Sequence, residues 1–222
     1  MPLNIAMDGP VGAGKSSIAD AVANRLGILH LDTGAMYRAV GLACLRAGVR
    51  LEDEAAVTAH CGKIHIAVAH GENGQITLLD GEDVSGLLRT EEVSMAASAV
   101  AKYAGVRQAM VALQQALARE TAMLVDGRDI GTRVLPDAPL KIYLTATAEE
   151  RARRRWLQLQ EKGGKDTYED VLADLNRRDE QDMNRAVDPL RPAPDSVTVD
   201  TTHMSFDEVV DHIAALAEAM RG

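Results

Sequence analysis

Short apolar segments alternate with helical patterns along most of this chain. Five of these segments have the length and composition of strands: Leu3–Met7, Ile28–Leu31, Met123–Val125, Leu140–Leu144 and Val197–Val199. Brief apolar strands separated by helices are typical of a parallel sheet that is covered on both faces. The sequence therefore predicts an α/β fold in which a five-stranded parallel sheet is flanked by helices.

A glycine-rich turn and a helix separate the first two predicted strands. The apolar positions of this helix recur at the spacing of one buried face: Ile18, Ala21, Val22 and Leu26. Gly27 follows the last of them and suits the end of a helix. A second helix is predicted at Ala35–Ala47, shortly after the second strand.

Residues 60–96 depart from this alternation of strands and helices. Two short apolar stretches with strand-like patterns lie there, at Ile64, Ile66 and Val68 and then at Ile76–Leu79. Turn sequences follow each stretch, at 71–74 and 80–81. The pattern predicts a small antiparallel ribbon, inserted into the α/β chain at 60–96.

Composition limits the classes of function. The 222 residues carry 24 Lys and Arg against 33 Asp and Glu, and this acidic balance argues against a nucleic-acid partner. No apolar run approaches the length of a membrane span, and the N-terminus lacks the pattern of a signal peptide. Cys44 and Cys61 do not form a C-x-x-C pair. We therefore expect a reduced, cytoplasmic protein that binds no membrane.

Arginine supplies 18 of the 24 cations, and eight of the arginines lie between residues 151 and 191. Arginine grips phosphate through a planar, bidentate fork, so the excess fits a phosphate-binding protein. A codon-biased genome produces the same excess. Composition alone leaves both explanations open.

A phosphate-binding loop is the most specific motif of the chain. The pattern G-x-x-x-x-G-K-[ST] is matched by Gly9, Pro10, Val11, Gly12, Ala13, Gly14, Lys15 and Ser16, and Ser17 follows. The motif follows a predicted strand and opens a predicted helix, where backbone N–H groups converge on an anion. Lys15 would lie along the β- and γ-phosphates, and the Ser16 hydroxyl would bind Mg²⁺. The motif predicts a nucleoside triphosphate ligand.

The use of that nucleotide depends on other segments. A GTPase would carry N-K-x-D, which is absent, and no transporter-type signature is present. Asp126 ends a predicted strand and would suit a water molecule bound to Mg²⁺. An aspartate with no role beyond ending the strand fits the sequence equally well.

Four further segments, at 31–38, 93–107, 126–132 and 177–185, carry candidate residues for a second site. Arg38 is expected one turn into a helix, on the side that faces the strand ends. On a helix, Arg178, Asp182 and Arg185 would share one face. Each segment taken alone also fits a solvated surface, and Arg178 with Asp182 fits an exposed ion pair.

Taken with the phosphate-binding loop, these segments resemble the bacterial cytidylate kinases, which are P-loop nucleoside monophosphate kinases. The strings DGPVGAGKS, LDTGAMYRA, DGRDIGT, PDAPLKIYL and RRDEQDMNRAVDPL occur in the family's order and spacing, from Ile5 to about Ile213. The resemblance implies a single P-loop kinase domain over 1–222, with a monophosphate-binding insert at 60–96 and a helical lid at 153–167. It also implies a monomer.

The implied reaction is transfer of the ATP γ-phosphoryl group to CMP or dCMP, with Mg²⁺ as cofactor and ADP and CDP or dCDP as products. The resemblance assigns charge stabilisation to Lys15, Arg128, Arg178 and Arg185. It places Arg38, Arg128 and Arg185 at the acceptor phosphate, with Arg178 reaching toward the transferring group.

The resemblance also assigns the remaining acceptor residues. Ser98, Arg107 and Asp129 would recognise the cytosine and Asp182 the pentose, while Thr33 and Tyr37 complete the acceptor site and Arg154 and Arg155 belong to the lid. Many related kinases have Gly-Thr where this chain has Ser16-Ser17, so either hydroxyl would suit the metal. The rival functions are a shikimate- or thymidylate-type kinase and an ATP-hydrolysing switch or binding module.

Overall fold

A computed structural model describes residues 3–71, 74–161 and 163–220 of the protein. Its strands, in chain order, are β1 (Ile5–Asp8), β2 (Leu29–Asp32), β3 (Ile66–Gly71), β4 (Gly74–Leu79), β5 (Glu82–Asp83), β6 (Met123–Gly127), β7 (Leu140–Thr145) and β8 (Val197–Asp200). Five of them form a parallel sheet in the order β2-β6-β1-β7-β8. The predicted parallel sheet is therefore confirmed, with shifts of one or two residues at the strand ends.

Helices fill the segments between the strands. They are α1 (Lys15–Leu26), α2 (Thr33–Arg46), α3 (Glu54–Cys61), α4 (Glu91–Val100), α5 (Ala104–Glu120), α6 (Ala148–Glu161), α7 (Tyr168–Asn184) and α8 (Phe206–Ala219). A 3₁₀ turn lies at Ser85–Leu87 and a single π-helical turn at Ile130–Val134. None of the helices in the described part of the chain is both long and apolar enough to cross a membrane.

Two helix boundaries differ from the sequence-based expectation. Helix α2 begins at Thr33 rather than Ala35, because the Asp32 side chain accepts a hydrogen bond from the Ala35 N–H and caps the first turn. Helix α7 ends at Asn184, so Arg185 has an extended backbone (φ −62°, ψ 144°) and does not continue the helical face of Arg178 and Asp182. The prediction of one shared helix face is wrong for Arg185.

The ribbon between α3 and α4 is antiparallel, as expected. Strand β3 pairs with β4 in the register Ile66↔Leu79, and the short β5 adds a third strand. Two residues of the predicted first turn, 72 and 73, lie outside the described residues. The Gln75 side chain holds this small sheet against the end of β2, because it accepts from the Asp32 N–H and donates to the Asp32 carbonyl.

The parallel sheet is buried on both faces, since alternate strand residues point to opposite sides. Ile5 and Met7 of β1 pack with Leu124 against residues of α1 and α8. Ala6 and Val125 face the other way and pack against residues of α2, α4 and α5. The carboxyl ends of the strands are thereby left at one edge, where parallel sheets bind ligands.

Asp8 is a buried charged residue at this edge. Its carboxylate ends β1 and accepts hydrogen bonds from the backbone N–H groups of Ile130 (2.7 Å) and Gly131 (2.8 Å). These two groups open the π-helical turn, so Asp8 fixes the chain that follows β6. Burial raises the pKa of Asp8 to about 6 from its ordinary 3.8.

We expect Asp8→Asn to lower the free energy of unfolding at neutral pH by about 1–3 kcal/mol. The amide oxygen replaces one acceptor, whereas the amide NH₂ meets an N–H group and leaves it unpaired. Between about pH 6 and pH 4, folded Asp8 binds a proton that the unfolded chain does not, so Asp8 stabilises the fold more as the pH falls. The stability advantage of the wild type over Asp8→Asn should therefore grow from pH 7 to pH 4, as measured by urea unfolding.

Asp53→Asn is the matched control. Asp53 is exposed and caps α3 through the Ala56 N–H, and asparagine caps a helix about as well as aspartate. Its unfolding free energy should stay within about 0.5 kcal/mol of the wild type. Equal losses in the two variants would contradict the role of Asp8.

Candidate phosphate and nucleotide site

The glycine-rich loop leaves β1 and enters α1 at the carboxyl edge of the sheet. A Cβ atom on Gly9 would lie 2.0 Å from the carbonyl oxygen of Leu144 in β7, so the loop passes too close to the sheet for any side chain there. Gly14 has a left-handed φ of 83° immediately before α1. The loop thus takes the sharp turn that directs N–H groups at the start of a helix toward an anion.

The Lys15 side chain folds back over this loop. Its ammonium group donates to the carbonyl oxygens of Gly9 and Pro10, both at 2.8 Å. Burial lowers the pKa of Lys15 to about 7, and the charge of Arg128 acts in the same direction. The ammonium therefore lies inside the loop in a site that favours an added negative charge.

Ser16, Asp126 and His30 form a hydrogen-bonded row beside the loop. The Ser16 hydroxyl donates to Asp126 Oδ2 at 3.0 Å, and His30 Nε2 lies 2.8 Å from Asp126 Oδ1. Burial opposes ionisation of Asp126, but the hydrogen bond and charge of His30 outweigh it and lower its pKa. The row brings a hydroxyl and a carboxylate together, which are the oxygen ligands that Mg²⁺ prefers. Both serines of the motif are exposed, and Ser16 is the one that contacts Asp126.

A buried ion pair holds the loop against α6 and α7. Arg151 Nη1 lies 2.6 Å from Asp179 Oδ2 and also donates to the carbonyl of Val11 at 2.7 Å. Asp179 Oδ1 accepts from the N–H of Val11 at 3.0 Å. Both backbone polar groups of Val11 are therefore bonded to this pair.

Sequence reasoning missed this ion pair. A signal was present for Asp179, since it continues the row of Val171 and Leu175 at i+4 and i+8, and both of these are buried against Val11. A charged residue on a buried helical row requires a buried partner. Nothing in the local sequence identifies Arg151 as that partner.

A second cluster of charges joins the turn after β6 to α5 and the end of α7. Arg107 is fully buried and its Nη2 lies 2.5 Å from Asp129 Oδ2, while Arg185 Nη2 lies 3.1 Å from Asp129 Oδ1. The guanidinium of Arg107 also lies over the Tyr37 ring, 5.6 Å from its centre. Arg185 thus reaches the cluster from outside the helix.

Arg128 and Asp182 connect this cluster toward the loop. Arg128 Nε lies 2.7 Å from Asp182 Oδ2, and Arg185 Nη1 lies 3.9 Å from Asp182 Oδ1. Burial opposes ionisation of Asp182, but Arg128 outweighs it and lowers its pKa. Arg178 does not pair with Asp182, so the alternative of an exposed pair between these two is wrong. Its Nη1 lies instead 3.9 Å from Asp174.

Three predicted acceptor residues line the start of α2. Arg38 Nη2 lies 2.6 Å from Asp32 Oδ2, and Arg38 Nε is buried without a hydrogen-bond partner among the described residues. Thr33 is buried and its hydroxyl donates to the Asp126 carbonyl at 2.8 Å. Burial raises the pKa of Tyr37 to about 12, so its hydroxyl is protonated at neutral pH.

The structure places the remaining predicted residues, Ser98, Arg154 and Arg155, in different surroundings. Ser98 is half-buried on α4, and its carbonyl accepts from the Gln181 side chain on α7 at 3.1 Å. Arg154 is turned away and bonded to Glu150 and Thr201, which are in α6 and after β8. Arg155 is exposed on α6, close enough to lower the pKa of Arg178 together with burial and Arg128.

Comparisons with known proteins identify the family of this chain. A family model described as cytidylate kinase matches residues 5–219. Cytidylate kinases of Caldicellulosiruptor bescii and Nocardia farcinica are 47% and 50% identical to the chain over 214 residues, covering 96% of it and 95% and 92% of the relatives. A solved structure of an uncharacterised protein from Eubacterium ventriosum shares the fold, with a TM-score of 0.53 and 10% identity over 98% of this chain and 99% of that one.

The match of the family model spans nearly the whole chain, and the identity to the relatives is close to one half over almost their full length. These findings confirm the resemblance read from the sequence motifs. The chain belongs to the cytidylate kinase family, and it is a nucleotide-binding kinase.

Proposed function

We propose that this kinase transfers the γ-phosphoryl group of ATP to CMP or dCMP, giving ADP and CDP or dCDP. The observation that carries the proposal is the row of alternating charges that runs from Arg107 through Asp129, Arg185 and Asp182 to Arg128. Arg128 lies close enough to Lys15 to lower its pKa together with burial, so the row leads up to the phosphate-binding loop. The acceptor nucleotide would bind along this row and ATP would bind in the loop, so that their phosphates would face each other near Arg128.

The loop would bind the donor nucleotide. Backbone N–H groups at the start of α1 would surround the β-phosphate, and Lys15 would exchange the carbonyls of Gly9 and Pro10 for phosphate oxygens. Ser16 and Asp126 would hold Mg²⁺, for which their hydroxyl and carboxylate oxygens are suitable ligands. Mg²⁺, when bound, neutralises charge on the β- and γ-phosphates.

The acceptor phosphate would bind between Arg38, Arg128 and Arg185, with Arg178 nearer the transferring group. A phosphomonoester has a second pKa of about 6 and is already a nucleophile at neutral pH, so no general base is required. The buried and unpartnered Nε of Arg38 is a donor available to such an anion. Catalysis would rest on positioning and on charge stabilisation.

The base would be recognised by Ser98, Arg107 and Asp129. Cytosine presents an exocyclic amine beside ring acceptors, which requires a mixed set of hydrogen-bond acceptors and donors. Asp129 accepts from two arginines and has lone pairs left for an amine, while Arg107 supplies donors. Asp182 would contact the pentose, and Thr33 and Tyr37 would line the binding site of the acceptor nucleotide.

We also propose that 60–96 is the monophosphate-binding insert and that 153–167 is a lid over ATP, with residue 162 outside the described residues. Arg155 is exposed there and available, whereas Arg154 would have to leave Glu150 and Thr201 to act in the lid. We propose that the kinase acts as a monomer on free pyrimidine nucleotides. A cytoplasmic location stays a prediction from the sequence.

The acceptor is tested by measuring ADP production with ATP, Mg²⁺ and one candidate acceptor at a time. We expect CMP and dCMP to raise ADP production well above the background without acceptor, and UMP, AMP, TMP and shikimate to do so less. A rate with CMP equal to that background would overturn the proposed function. A higher rate with shikimate or TMP would favour a rival kinase.

Lys15→Ala should lower kcat by about 10²–10³, because it removes a positive charge that stabilises the transition state. Arg119→Ala, which removes an exposed positive charge in the last turn of α5, outside the loop, the insert and the lid, is the control and should leave kcat unchanged. Steady-state kinetics with CMP, together with thermal melting of both variants, makes the comparison. A Lys15→Ala enzyme that folds and has near-normal kcat would contradict the assignment of the loop.

Ser98→Ala should raise KM for CMP by about tenfold and weaken the preference for cytosine, while KM for ATP stays nearly constant. Ser196→Ala is the control, since Ser196 is half-buried like Ser98 but lies outside the insert and the lid, and its hydroxyl donates to the Ala193 carbonyl. It should leave both KM values near those of the wild type. A large rise in KM for ATP on changing Ser98 would mean that Ser98 lies on the donor side.

A further inference from the structure

Asp188 has an unusual backbone conformation in the turn that follows α7. Its φ is 46°, a left-handed value that is uncommon for a residue other than glycine, and it precedes a proline. Such conformations persist where the surrounding contacts fix them, and they cluster at functional sites. The contacts of Asp188 are therefore informative.

Asp188 is bonded to two arginines of the acceptor cluster. Its Oδ2 accepts from Arg107 Nε at 2.9 Å, and its backbone carbonyl accepts from Arg185 Nε at 2.7 Å. Arg133 is the other cation nearby, with its Nε 3.8 Å from Asp188 Oδ1, and it is mostly exposed. The left-handed backbone directs the side chain to one arginine and the carbonyl to the other.

The donors of Arg107 show what this contact does. A guanidinium has five N–H donors. Three go to fixed acceptors, namely Asp188 from Nε, Asp129 from Nη2 and the Ala101 carbonyl from Nη1. Two N–H groups are left for a ligand, and the guanidinium cannot rotate while acceptors hold it on three sides.

We propose that Asp188 is a specificity-determining positioning residue, which orients Arg107 so that its remaining N–H groups face the ring acceptors of the base. This inference rests on the proposed function. The N3 atom of cytosine accepts a hydrogen bond, whereas N3 of uracil carries a hydrogen that would face a guanidinium donor. A fixed Arg107 therefore favours cytosine and disfavours uracil, and a rotating Arg107 loses that discrimination.

Two substitutions separate the side chain from the backbone. Asp188→Gly removes the carboxylate and adopts φ 46° without strain, so the carbonyl bonded to Arg185 stays in place. Asp188→Asn keeps an oxygen acceptor for Arg107 and also tolerates the left-handed region. Asp188→Gly leaves the Arg107 Nε–H without its acceptor, so we expect it to melt below Asp188→Asn, and thermal melting establishes that both variants are folded before the kinetics are compared.

The experiment measures kcat and KM for CMP, UMP and ATP in the wild type and in both variants. We expect Asp188→Gly to raise KM for CMP by about tenfold or more, to reduce the preference for CMP over UMP by a similar factor, and to leave KM for ATP unchanged. Asp188→Asn should restore most of the preference. A folded Asp188→Gly enzyme with normal KM for CMP and normal preference would overturn the inference while leaving the proposed function intact. A wild type inactive on CMP would overturn the proposed function itself.

Discussion

The ion pair between Arg151 and Asp179 fixes the position of the phosphate-binding loop relative to α6 and α7. Removing two charges from water is costly, and the cost is offset only where further hydrogen bonds complete the pair. Here Arg151 also bonds to the carbonyls of Val11 and Ala146, and Asp179 accepts from the Val11 N–H. The phosphate-binding loop therefore cannot shift relative to α6 or α7 without breaking these buried hydrogen bonds.

Helix α7 extends this constraint to the charge cluster formed by Arg107, Asp129 and Arg185. Asp179 lies between Arg178 and Asp182 on α7. The bond from Asp179 to the loop therefore also fixes the positions of Arg178 and Asp182 relative to the loop. Asp182 in turn bonds to Arg128, and its carbonyl accepts from the Leu190 N–H. This contact turns the chain back so that Arg185 reaches Asp129 and Asp188 reaches Arg107. One helix thus relates the phosphate-binding loop to the cluster of Arg107, Asp129 and Arg185. The physical reason is that Asp179 is buried on the face of α7 that packs against the loop, where its charge must be bonded.

The sequence predicts correctly those parts of this arrangement that are encoded by residues close together in the chain. The five parallel strands are short apolar runs, and the loop is a contiguous motif whose strand and helix lie on either side of it. The partners of the arginines have no such signal, because Arg107 meets Asp129 and Asp188 across 22 and 81 residues of chain. The prediction that Arg185 lies on the helix is wrong for the same reason, since its partners Asp188 and Asp129 both lie outside α7.

The geometry also decides between the two explanations of the arginine excess for part of the chain. Arg107, Arg151 and Arg185 each bond through several nitrogens to acceptors in fixed positions, and their side chains are almost fully buried. A lysine has a single ammonium group and could not hold such divergent acceptors in one plane. Arg153 and Arg177, by contrast, are more than half exposed and pair with carboxylates one turn away on their own helices, where a lysine would serve as well. The requirement for arginine therefore holds for the buried cluster, and an arginine-rich codon usage is sufficient for these two exposed positions.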